Sequence, residues 1–291
     1  MKRSGGSLVE SGEFPMTARD FDRIAAFIHA EAGISLTVNK ANLVYSRLAK
    51  RLRILGLDSF ERYCELVAQP DMAEERDAMI AALTTNVTQF FREAYHFDHL
   101  KTTILPPLIS LAKQGGRVRL WSAACSSGQE PYSMALTILS LLPDAASYDI
   151  KILATDIDPN MLAKGQAGIY DASLVAPIPV ALRQRWFTAT SDGSGALQAG
   201  PDLRKLVSFR KLNLIADWPI RGTFHAIFCR NVVIYFDNDT QSTLWTRMVR
   251  LLEPGGALYI GHSERVAGPA EHLLTSDGIT TYRLTGRDTH K

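Results

Sequence analysis

Cysteine is scarce in this 291-residue chain: Cys64, Cys125 and Cys229 are scattered, odd in number and never spaced as CxxC. That speaks against a disulfide scaffold or a structural zinc site and suits a reducing compartment. Long apolar runs are missing too, since none approaches the ~20 residues of a membrane-spanning helix. The polar, Gly/Ser-rich stretch from Met1 to Glu13 lacks the apolar centre of a signal peptide. Neither sign of charge dominates: 32 Lys and Arg stand against 30 Asp and Glu, a formal charge of +2. A protein that grips long nucleic acid carries a larger excess. No GxGxxG or GxxxxGKS/T sequence occurs, which disfavours a phosphate-gripping nucleotide site. What is present is ordinary globular composition, 46% hydrophobic and 21% charged. It is enough for a large α/β domain and a smaller helical companion. The expectation is a cytoplasmic monomer with no metal, no nucleic-acid partner and no direct membrane insertion.

The front of the chain reads as helices. Thr17 and Asp20 have capping-box spacing, Met16 can staple on Phe21, and Phe21, Ile24, Ala25 and Ile28 recur at helical spacing until Gly33. Further helices are expected over Lys40–Leu55, from Asp58 or Ser59, and over Met72–Leu83, with no strand before about residue 115. After Gly115-Gly116 strands and helices alternate. Strands are expected at Arg117–Trp121, Ile150–Ala154, Val207–Arg210, Phe224–Cys229 and Ala257–Ile260, with helices at Gln129–Leu142, from Pro159 and at Asp239–Leu252. That grammar predicts a doubly wound, mostly parallel sheet. It lapses between Tyr170 and Lys205, where Ser191-Asp192-Gly193-Ser194-Gly195 marks a turn and predicts a small inserted hairpin lobe.

Ligands of such sheets bind beyond the carboxyl ends of the strands. The small-residue loop Ser122–Gly128 occupies that place and allows close approach to the backbone, although by itself it is equally a tight turn. Asp156, 28 residues after Gly128, ends the second strand where an adenosine ribose presents its hydroxyls, while Asp158 suits capping of the next helix. The Leu252–Leu258 stretch, with its Pro-Gly-Gly turn, resembles the approach to the fifth strand of class I S-adenosylmethionine-dependent methyltransferases.

Four further stretches narrow the resemblance to the bacterial chemotaxis receptor glutamate O-methyltransferases, the CheR family. They are Thr85-Asn86-Val87-Thr88-Gln89-Phe90-Phe91-Arg92-Glu93, Trp121–Ser133, Phe228–Asp237 and Gly261-His262-Ser263-Glu264. Gln129 departs from the glutamate that many members carry, and leaves Glu130 in place. The resemblance spans about Thr17 to Leu284 and implies a Rossmann-like sheet with its last strand antiparallel, a small N-terminal all-helical domain and an inserted β lobe at about 170–206. The implied organisation is a tail over 1–16, a helical substrate-docking domain over 17–84, a linker over 85–98 that contributes to the cofactor site, a catalytic domain over 99–285 and a tail over 286–291.

Carried over residue by residue, the resemblance implies S-adenosyl-L-methionine as cofactor, with S-adenosyl-L-homocysteine as product. Asn86, Thr88 and Arg92 reach in from the linker; Ala124 belongs to the loop; Glu130 meets the methionine amino group; Asp156 holds the ribose; and Asn213 and Leu214 flank the adenine. Arg230, Asn231 and Val232 lie toward the methyl-transfer end. Arg92 and Tyr235 are the candidates for orienting the acceptor carboxylate, which is already ionised at neutral pH and needs no general base. Lys40, Arg47, Lys50, Arg51 and Arg53 lie on a helix without acids, and Arg47, Lys50 and Arg53 fall mainly on the side away from the stripe Val44, Leu48, Leu52 and Leu55. They are the candidate dock for the acidic helical bundle of a chemoreceptor. A receptor C-terminal tail peptide could add to the β lobe. The rival readings are a methyltransferase acting on another acceptor and a non-catalytic cofactor-sensing or docking protein.

Overall fold

The computed structural model describes residues 8–9 and 12–285, which divide into two compact units. The first runs to Thr85 and takes in Tyr235–Asp237; the second comprises Asn86–Ile234 and the chain from Asn238 onward.

In the helical unit, α1 (Ala18–Ala32) opens on the expected capping box. The Asp20 amide donates to Thr17 Oγ1 at 3.2 Å, and the Thr17 amide donates to Asp20 Oδ2 at 2.9 Å. Next come α2 (Ala41–Leu55), α3 (Phe60–Val67) on its Ser59 cap, and α4 (Ala73–Leu83). Their apolar faces meet in one core built on Ile24, Ile28, Val44, Leu48, Leu52, Phe60 and Met79. Full burial of each large side chain contributes about 1.5–3 kcal/mol. The expected tail over 1–16 is corrected at its end, because Phe14 and Met16 are buried and the Phe14 amide donates to the Tyr45 hydroxyl at 3.0 Å. Residues 1–7, 10–11 and the expected tail over 286–291 lie outside the described residues. Tyr235–Asp237 join this unit through the Ser35 amide, which donates to the Tyr235 carbonyl at 2.8 Å, and through a bridge between Ile34 and Phe236.

The second unit begins with α5 (Tyr95–His99), a π-helical turn over Leu100–Ile104 and α6 (Leu105–Lys113). It continues as β1 (Val118–Ala123), α7 (Gln129–Leu141), β2 (Ile150–Asp156) and α8 (Pro159–Ala167). The lobe follows: β3 (Ile169–Tyr170), α9 (Ala172–Val175), α10 (Val180–Trp186), β4 (Phe187–Ala189), β5 (Leu197–Ala199) and α11 (Pro201–Lys205). The chain closes with β6 (Val207–Lys211), β7 (Phe224–Cys229), α12 (Asn238–Arg250), β8 (Leu252–Ile260), β9 (Leu274–Gly278) and β10 (Thr281–Leu284).

The sheet order is β6-β2-β1-β7-β8-β10-β9, with β10 antiparallel to both of its neighbours and the β6-to-β8 portion parallel. Order reverses at β1, the position where such sheets bind ligands. Register decides which loops meet there. Ala123 lies opposite both Thr155 and Cys229, and Cys229 lies opposite Ile260, so the four strands end level and their following loops share one edge. The expected inserted lobe is a three-stranded antiparallel sheet, β3-β5-β4, built on a hairpin between β4 and β5. Ile169 and Tyr170 pair with β5, giving it a second neighbour that an isolated two-stranded ribbon lacks.

Candidate active site

The loop after β1 turns sharply by left-handed backbone at Ala124 (φ 58°), Ser126 (φ 49°) and Gly128 (φ 94°). Gly128 also has no room for a side chain: a Cβ there would stand 2.9 Å from Gly165 Cα and 2.9 Å from the Tyr170 hydroxyl. The loop is held by the tip of β2. Asp156, 6% exposed, accepts the Ser126 amide on Oδ2 at 2.7 Å and the Asp158 amide on Oδ1 at 2.9 Å. Burial pushes its carboxyl up, and those backbone donors pull it back. Asp158 caps α8 as expected, accepting the Asn160 amide at 2.8 Å, and its second oxygen accepts from Asn86 Nδ2 at 3.0 Å. Asn86 is thereby joined to the β2 tip, and its carbonyl accepts from Ser126 Oγ at 3.0 Å.

Glu130, in the first turn of α7, accepts from the Ser122 hydroxyl at 2.7 Å on one oxygen and from Arg230 Nη1 at 3.1 Å on the other. Burial raises its carboxyl pKa, against the lowering effect of the Arg230 charge. Arg230 is therefore a strut. Its side chain is 1% exposed, lies between Glu130 and Glu93, and donates to the Arg92 carbonyl. The guanidinium also lies over the rings of Phe97 and Phe228. Arg92 is half-buried, with Nη1 on the Val87 carbonyl at 3.0 Å, and Thr88 is half-buried in the same segment.

Asn231 takes a left-handed conformation (φ 58°) directly after β7, and its neighbour Val232 is half-buried. Glu264 fixes that turn. Its buried carboxylate accepts the amides of Asn231 (3.0 Å), Val233 (3.0 Å) and Gly261 (2.6 Å). Glu93 holds the Asn231 side chain at 3.3 Å and His262 Nδ1 at 3.1 Å. Burial disfavours the Glu93 carboxylate, but the Arg230 charge and the bonds from His262, Arg230 and Asn231 prevail and hold its pKa down at about 2. Asn213 makes a side-chain turn, accepting the Ile215 amide at 3.1 Å, and Leu214 beside it is buried. The loops after β7 and β8 line a cavity of about 530 Å³ with Val233, Ile234, His262, Ser263 and Arg265.

All of the expected cofactor residues lie in the second unit, whereas Tyr235 and the docking residues lie in the helical one. On α2 the missing acids arrive from elsewhere in the chain. Arg51 Nε donates to buried Glu75 at 3.1 Å, Arg53 pairs with Glu13, and Arg47 donates to the Leu83 and Thr84 carbonyls at 2.9 and 2.8 Å. Lys50 is exposed and Lys40 half-buried. Glu93, Glu264, His262 and Ser122 were given no role by residue type or spacing, although all four lie inside the motifs quoted for the family.

The donor set fits S-adenosylmethionine. That molecule carries a sulfonium and an ammonium, and the carboxylates of Glu130 and Asp156 flank a small-residue loop that a ligand can approach closely. Burial pushes the Cys125 and Cys229 thiols well up, so neither supplies a thiolate nucleophile.

Comparison with known proteins agrees. Residues 86–282 match the family described as CheR methyltransferase, SAM binding domain, and residues 19–84 match its all-alpha domain. A probable chemotaxis protein methyltransferase of Rhizobium etli is 54% identical over 89% of this chain and 97% of its own. Chemotaxis protein methyltransferase 2 of Pseudomonas aeruginosa is 44% identical over 93% of this chain and 94% of its own. The chemotaxis protein methyltransferase of Escherichia coli is 40% identical over 91% and 90%. With both parts of the family matched in order and a carboxylate-lined loop at the sheet's switch point, the chain belongs to the CheR methyltransferase family and is an S-adenosylmethionine-dependent methyltransferase.

Proposed function

We propose that this enzyme methylates glutamate side chains of chemoreceptors, forming glutamate methyl esters and releasing S-adenosylhomocysteine. The observation that carries the reading is its likeness, over nearly their full length, to proteins designated chemotaxis protein methyltransferases. Bound S-adenosylmethionine supplies a methyl group already activated on a sulfonium. A glutamate acceptor, with a reference pKa of ~4.3, arrives ionised, so the protein's work is orientation and exclusion of water.

Glu130 and Asp156 are assigned to the cofactor's amino group and ribose. Asn86, Thr88, Ala124, Asn213, Leu214, Asn231 and Val232 complete the cofactor's surroundings, with Arg92 and Tyr235 orienting the acceptor. The receptor's acidic helices are steered by the basic side of α2, where Lys50 is exposed. A receptor tail peptide pairing with an edge of the β3-β5-β4 sheet belongs to the same reading.

The test is incubation with methyl-labelled S-adenosylmethionine and chemoreceptor-bearing membranes. Base-labile label on the receptor supports carboxyl methyl esters, and base-stable label or none rejects them.

A further inference from the structure

Glu93 sits where three chain segments come together. It is itself in the left-handed region (φ 57°), two residues after Phe91 (φ 53°). Its Oε2 meets Arg230 Nη2 at 3.2 Å and accepts from the Tyr95 hydroxyl at 3.3 Å. Its Oε1 accepts from Asn231 Nδ2 at 3.3 Å and from the His262 amide at 3.4 Å, with His262 Nδ1 at 3.1 Å. One carboxylate thus joins the segment before α5 to the loops after β7 and β8. Asn231 is held twice, by Glu264 through its backbone and by Glu93 through its side chain. Left-handed backbone at a non-glycine residue costs roughly 1–2 kcal/mol and persists where the surroundings enforce it. Two such residues, Glu93 and Asn231, lie within this one network, and Phe91 is two positions upstream of it in the chain.

The cofactor-side carboxylates are held differently. Asp156 is fixed by backbone amides, and Glu130 has the Ser122 hydroxyl besides the Arg230 guanidinium that it shares with Glu93. We propose that Glu93 is a positioning residue for methyl transfer. It sets Asn231 and His262 against the Phe91–Arg92 backbone, so its loss impairs turnover without a matching loss of cofactor affinity. The proposal goes beyond the proposed function and depends on it only for the acceptor used in the rate assay.

Glu93→Gln tests this, because it keeps the size and removes the charge that faces Arg230. The expected result is a kcat for receptor methylation lowered at least about tenfold, as misplacement near a reacting centre produces. The KM for S-adenosylmethionine and the calorimetric Kd for S-adenosylhomocysteine should change by a smaller factor than kcat, since Asp156 keeps its backbone bonds. Amide hydrogen exchange should quicken at 231–233 and 261–264. Wild-type kcat, or an affinity for S-adenosylhomocysteine that falls in step with kcat, overturns the proposal, as does unchanged exchange at both loops. Should that variant not fold, Glu93→Asp, which withdraws the carboxylate by one methylene, is read by the same criteria. If the wild-type enzyme labels no receptor, the proposed acceptor fails, and the exchange and binding measurements still decide the role of Glu93.

Discussion

Asp156 Oδ1 accepts the amide of Asp158 at 2.9 Å, while Asp158 turns its own Oδ1 to the Asn160 amide at 2.8 Å. Two carboxylates two residues apart on the chain therefore do different work: one braces the loop after β1, and the other caps α8 and accepts from Asn86.

Their substitutions should separate. Asp158→Ala removes a helix cap and is expected to cost about 1 kcal/mol of stability. Asp156→Asn should weaken S-adenosylhomocysteine binding by about tenfold or more, as loss of a charged hydrogen-bond partner does. Thermal melts and calorimetry on both variants check this, and equal affinity losses would contradict the division.

Arg51 and Lys50 are neighbours on α2 with opposite expectations. Arg51 neutralises Glu75, which is 6% exposed and also accepts from the Tyr63 hydroxyl at 2.8 Å. Arg51→Ala strands that carboxylate and should cost about 3–5 kcal/mol in denaturant unfolding. Lys50→Glu should shift stability by no more than about 0.5 kcal/mol. It should slow receptor methylation most at low salt, where charge steering is strongest. A Lys50→Glu enzyme with unchanged rates at every salt concentration would remove that residue from the docking face.

Acid stability should fall in two stages. His96 is fully buried, and burial first, then the Arg230 charge, holds its pKa at about 4, against 6.5 when free. Between those values the unfolded chain takes up a proton that the native protein refuses. Stability is accordingly full above pH 6.5 and declines toward pH 4. Glu93, held at about 2 against 4.5, adds stability that is present above pH 4.5 and lost as pH falls toward 2. His96→Gln should shrink the first decline, leaving the smaller part due to His99, whose burial also lowers its pKa, and should leave the second, as read from urea midpoints across pH.

Gly261 has no space for a methyl group. A Cβ there would lie 2.5 Å from Asn231 Nδ2 and 2.8 Å from Glu264 Oε2. Gly261→Ala is expected to cost about 1–3 kcal/mol and to lower kcat. An alanine variant as stable and as fast as wild type would show that these loops yield freely.

Much of this was legible in the sequence, because local signals and tertiary packing agree. The Thr17 capping box, the stops at Gly33 and Gly56 and the Phe224–Cys229 strand stand where spacing put them. The resemblance implied the antiparallel last strand, but the places of β9 and β10 are not legible from residue pattern, because Leu274–Gly278 and Thr281–Leu284 are short and largely polar, with little apolar alternation. The acids that pair with the basic helix were not legible for a different reason. Its acids, Glu75 and Glu13, lie 24 and 40 residues away in sequence from Arg51 and Arg53, and only the fold brings them together. The carboxylates on both sides of Arg230 are likewise brought there only by the fold, Glu93 and Glu130 lying more than 90 residues before it in the chain.

The level ends of β1, β2, β7 and β8 have an evolutionary consequence. Ser126 is tied to Asp156, and Asn231 to Glu264, so the four loops are stitched mainly as two pairs. Each pair can then drift as a unit while the other stays fixed. A descendant could acquire a new target by rewriting one pair of turns and leaving the sheet beneath them untouched.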